Sequence, residues 1–117
     1  MGNLPEHISD LLNELVRRKI STRVTVEVKD GGIDRVTFEV PKDNVVCLHV
    51  RDFRFRVNFD NGNVIDIMQR DNTLTLSIQN DDDPDTVVNF DNFGLSVEEN
   101  IKDSSVMITL YDKGSSK

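Results

Sequence analysis

The stretch NVVCLHVRDFRFRVNF, residues 44–59, decides the fold. Val46, Leu48 and Val50 place one apolar face on even positions, whereas Phe53, Phe55, Val57 and Phe59 place another on odd positions. Side chains alternate across a strand with a period of two, so a slip of one residue inverts both faces. One strand cannot keep both sets on the same side. The chain must bulge or turn near Arg51-Asp52, and such a bend lets a sheet curl into a barrel or fold over into a sandwich.

Working outward, the period of two extends in both directions. Upstream, Val24, Val26 and Val28 alternate with Arg23, Thr25 and Glu27. After Asp30-Gly31-Gly32, Val36, Phe38 and Val40 alternate with Arg35, Thr37 and Glu39, which reads as a hairpin with one apolar face. Pro41 ends it, because proline cannot donate to a ladder. Downstream, Asn61-Gly62 leads into a strand over 64–69, and Asp71-Asn72 into a strand over 73–79. The run Asn80-Asp81-Asp82-Asp83-Pro84-Asp85 reads as an acidic loop before a short strand over 86–90. Residues 91–104 read as irregular, with a helical turn around 96–100, and Val106, Ile108 and Leu110 as a last strand.

Only the amino-terminal segment has helical spacing. Leu4, Ile8, Leu11, Leu12 and Leu15 line one face of a helix over 5–18, with Asn3 as N-cap and Pro5 in the first turn. Arg17, Arg18 and Lys19 then fall at the negative end of the helix dipole. The expected fold is mainly β (α+β). One helix packs on a curled antiparallel sheet, a sandwich or a partly open barrel of seven or eight short strands. Composition agrees, since 117 residues suit one domain and the chain holds 15 valines but no alanine or tryptophan. The expected domain spans residues 1–112, followed by a flexible polar tail over 113–117. The pentapeptide Val-Asn-Phe-Asp-Asn occurs at 57–61 and again at 88–92. Its flanks differ, so it reads as one local solution for a strand entering a turn, not as a repeat.

Candidate chemistry is sparse. A single cysteine, Cys47, excludes an internal disulfide framework and fits a reducing compartment. No basic region precedes a hydrophobic stretch, and no apolar run nears the roughly 20 residues that span a bilayer. A cytoplasmic protein that makes no membrane contact is expected. Cys47 and His49 share one strand face, but two ligands do not make a tetrahedral metal site, so neither a metal nor another cofactor is expected. His7 falls in the first helical turn. Asp81, Asp83 and Asp85 match the start of a calcium loop, yet Thr86 stands where its glycine belongs and Asn92 where its bidentate glutamate belongs. There is no Gly-x-Ser-x-Gly elbow and no glycine-rich phosphate cradle, and no catalytic residue is assigned.

Charge is the remaining signal. The net charge is −7, made of +1 over residues 1–56 and −8 over residues 57–117. That balance disfavours direct binding of phosphate backbones and attracts basic partners. The leading expectation is a non-enzymatic binding module, an inhibitor of the immunity or virus-encoded kind. Its carboxylates would mimic nucleic acid on the basic surface of a partner such as a nucleic-acid enzyme. Asp81, Asp82, Asp83 and Asp85 would carry the contact, with Asp91, Glu98 and Glu99 in support. A second expectation is an assembly subunit that pairs with its own copies through strand edges, forming a homo-oligomer. A third is a small β-barrel that binds a small ligand or nucleic acid through Arg51, Arg54, Arg56 and Arg70. Against the third, Phe53, Phe55 and Val57 occupy the opposite face, where the phenylalanines read as core, and Asp66 is positioned to pair with Arg54 and Arg56.

Overall fold

A computed structural model describes residues 6–114, with side chains from Ile8 onward. One helix, α1 (Glu6–Arg17), precedes nine strands. These are β1 (Arg23–Lys29), β2 (Gly32–Pro41), β3 (Val45–Arg51), β4 (Arg54–Phe59), β5 (Val64–Arg70), β6 (Thr73–Asn80), β7 (Asp83–Asp91), β8 (Phe93–Asn100) and β9 (Ser105–Asp112). They form two antiparallel sheets, ordered β1-β2-β9-β8 and β3-β4-β5-β6-β7. The sheets do not close into a barrel. The fold is mainly β with one helix, as expected, and takes the sandwich form of the alternatives, with nine strands where seven or eight were expected.

The parity break at residues 51–53 is a tight turn. Arg51 pairs with Arg54 across a two-residue loop, Asp52-Phe53. The turn restores a common face, for Leu48 lies opposite Val57 and Val50 opposite Phe55. A bulge also occurs, but at Val46, where the register shifts between Val45 and Cys47. The Asp30-Gly31 loop closes the first hairpin with both residues at positive φ, 53° and 81°. That is the twist-matched geometry that Asp-Gly favours.

The two inner faces make one core. Val36, Phe38, Val40, Val106, Ile108 and Leu110 from one sheet meet Phe55, Val57, Ile65, Leu76 and Ile78 from the other. Ile8, Leu11 and Leu15 of α1 join this core, as their spacing requires. Gly94 sits opposite Tyr111, whose ring fills the space that a Cβ would need, at 2.5 Å. A larger residue there must displace the ring.

Four expectations need correction. First, the helix ends at Arg17 and not at residue 18, while Asn3, Leu4, Pro5 and the His7 side chain lie outside the described residues. Secondly, the acidic loop shrinks to Asp81-Asp82, because Asp83, Pro84 and Asp85 already belong to β7. An edge strand tolerates proline and aspartate where its N–H groups have no ladder partner. Thirdly, residues 93–100 are a strand and not an irregular segment with a helical turn. Phe93, Leu95 and Val97 supply the one apolar face an edge strand needs, and Glu98-Glu99 hid that alternation. Fourthly, Phe53 is a turn residue, not a core residue.

Lys113 and Gly114 are the described part of the carboxyl-terminal tail, and residues 115–117 lie outside it. The two copies of Val-Asn-Phe-Asp-Asn end in different connections. Asn61 lies in the β4–β5 hairpin, whereas Asn92, at φ 61°, is the single residue by which the chain passes from β7 in one sheet to β8 in the other. They share a buried valine and phenylalanine and a turn-forming pair, as convergence predicts.

Candidate functional site

The predicted acidic surface is spread over three places. Asp81 and Asp82 are exposed at the β6–β7 turn, with Asp85 exposed on the strand just beyond it. Asp83 faces Arg17 of α1 at 3.5 Å. Asp91 lies at the far end of β7, eight residues and roughly 26 Å from Asp83 at strand rise, where it accepts a hydrogen bond from the Thr73 hydroxyl. Glu98 and Glu99 project from β8 in the other sheet, and Glu99 pairs with Lys42. The carboxylates of Asp81, Asp82 and Asp85 make no ion pair among the described residues.

The predicted basic residues, in contrast, come together. The outward face of the five-stranded sheet carries His49 opposite Arg56 and Arg51 opposite Arg54. On the next strand Asp66 stands opposite Arg56 and Met68 opposite Arg54, with Arg70 two residues further along. The Asp66 carboxylate accepts two bonds from Arg54, at 3.1 and 2.9 Å, and one from Arg56 at 3.3 Å. This bidentate contact, with the charge attraction behind it, raises the pKa of Arg54 above its usual value. Arg54 and Arg56 thus share one carboxylate and Arg51 pairs with none among the described residues, so these three arginines and Asp66 leave two excess positive charges on this face. His49, Arg51, Arg54 and Arg56 line an open depression of about 490 Å³.

Sequence reasoning missed what lies behind this cluster. Inner-face apolar residues are buried on β4, β5 and β6, but on β3 only Val45 packs against the core, and the apolar residues beyond it are exposed. Val46 is 70% exposed, Leu48 37% and Val50 54%, and Phe53 at the adjoining turn is 66% exposed. β3 is also an edge strand, so one side of its backbone has no ladder partner. The other edge of this sheet is guarded. The Arg18 guanidinium, buried at the end of α1, donates to the Pro84 carbonyl of β7 at 2.6 Å and to the Thr86 hydroxyl at 3.3 Å. The signal for an open β3 was the second apolar parity itself, which showed where apolar side chains point but not which were covered.

Among the described residues no three His, Cys, Asp or Glu side chains gather closely enough to hold a metal ion. Cys47 and His49 share the outward face of β3, next to Asn58 and Arg56 respectively. Among the described residues no helix is long and apolar enough to cross a membrane. Comparison with protein families, curated proteins and solved structures finds no match to this chain.

Proposed function

We propose that this chain is a non-enzymatic protein-binding module that takes an extended segment of another protein onto the β3 edge. One observation carries the reading: β3 combines an unpaired backbone edge with uncovered inner-face side chains, Leu48 and Val50, beside Phe53. An added strand satisfies the edge N–H and C=O groups and extends the core over those side chains. The acidic tip supplies a second reading, in which Asp81, Asp82 and Asp85 engage a basic partner. The observation favouring it is that their carboxylates stand exposed and make no ion pair among the described residues.

Affinity purification from the native cell separates the two. The full chain is compared with a Leu48→Thr/Val50→Thr variant and with an Asp81→Asn/Asp82→Asn/Asp85→Asn variant. A protein retained by the wild type and the loop variant but lost from the β3 variant supports the edge reading. Loss from the loop variant alone transfers the function to the acidic tip.

A further inference from the structure

Resting on the edge reading, we propose that the segment accepted by β3 alternates apolar and acidic residues, with its carboxylates on the outward face against His49, Arg51, Arg54 and Arg56. A strand laid beside β3 has its side chains sorted by the pleat. On the inner side its neighbours are Leu48 and Val50, and on the outer side His49 and Arg51. Side chains opposite one another on adjacent strands approach within about 5 Å, close enough for ion pairs. Asp66 already serves both Arg54 and Arg56, and Arg51 has no ion pair among the described residues. A carboxylate arriving beside Arg51 meets unneutralised charge, whereas a lysine or arginine there adds to it.

The same charge argues against a second copy of this chain. Pairing β3 with β3 sets two groups of three arginines along one seam, with one Asp66 on each side. Pairing β3 with β7 of another copy meets an edge already held by Arg18 at Pro84, a residue that has no N–H to donate. Nucleic acid is also disfavoured. The overall charge of −7 repels a phosphate backbone, and His49 is the one ring among the described residues facing outward on β3, β4 and β5, with no Phe, Tyr or Trp beside it to stack successive bases.

The test uses the isotope-labelled full chain and four probes: capped nonapeptides alternating Val with Glu, Val with Thr and Val with Lys, and a single-stranded oligouridylate. Amide exchange and chemical shifts locate binding, and titration at two salt concentrations gives affinities. The Val-Glu peptide is expected to protect β3 amides and to bind roughly tenfold more tightly than the Val-Thr peptide, the gain expected of two or three exposed ion pairs. That gap should shrink in high salt and vanish in Arg51→Gln/Arg56→Gln, which still binds the neutral peptide. Equal affinity for the Glu and Thr peptides refutes the charge preference while leaving the edge reading standing. Absence of β3 protection with every peptide removes both. Tighter binding of the oligouridylate at this face, or a β3-mediated dimer at physiological salt, also overturns the proposal.

Discussion

Lys19 has a left-handed backbone, at φ 56°, just past the end of α1. The Lys19 N–H donates to the Val16 carbonyl and the Ile20 N–H to the Leu15 carbonyl, both at 3.0 Å, a Schellman closure in which glycine is the usual occupant. Ile20 supplies the accompanying buried contact. Asn61 and Asn63 then fasten the turn, their amide nitrogens donating to the Arg18 carbonyl at 3.2 and 3.1 Å. Because the Lys19 side chain makes no hydrogen bond or ion pair among the described residues and its Cβ is strained, Lys19→Gly should raise stability by about 0.5–1 kcal/mol. Urea unfolding followed by circular dichroism checks this, and an unchanged or lower midpoint contradicts it.

At the scale of elements, period-two and helical spacing located α1 and every hairpin whose strands bury several side chains. They failed where one face was short or a charge pair interrupted it, as at Glu98-Glu99 in β8. The candidate site divides in the same way. Arg54, Arg56 and Asp66 were legible because register follows from turn length, but the uncovered state of Leu48 and Val50 depends on where the second sheet stops. Docking of α1 was partly legible too. Of the three basic residues at its end only Arg17 lies in the last helical turn, and Arg18 is buried against β7 and bonded to Glu14, not displayed to solvent. Hydrogen bonds from Arg17 and then Arg18 hold the Glu14 carboxyl at about 2, against its ordinary 4.5. A carboxylate depressed on folding contributes stability above its unfolded pKa and loses it as pH falls towards the folded value. Glu14→Gln should therefore be less stable than the wild type at pH 7. The gap should close as pH falls from 4.5 towards 2, and urea midpoints across that range measure it. A gap that stays constant would show that the ion pair is not its source.

For the whole molecule, two opposed forces act at the same strand. Leu48, Val50 and Phe53 present apolar surface whose burial favours association by about 25 cal/mol per Å². Beside them Arg51, Arg54 and Arg56 repel the same residues of a second copy, reinforced by the overall charge of −7 that two copies share. The repulsion is screened by salt, with a Debye length of about 10 Å at 0.1 M and 3 Å at 1 M, whereas the apolar attraction is not weakened by it. The chain should therefore sediment as a monomer at about 0.1 M salt and begin to self-associate at about 1 M, where the seam charges no longer sense one another. Leu48→Thr/Val50→Thr keeps the net charge and the β propensity but removes much of the apolar surface, and should stay monomeric throughout. Association that is strongest at low salt and weakens as salt is added would mean that opposite charges drive it. The edge of β3 would then have a complement on this chain's own acidic surface, and the arginines would be guiding self-recognition instead of preventing it.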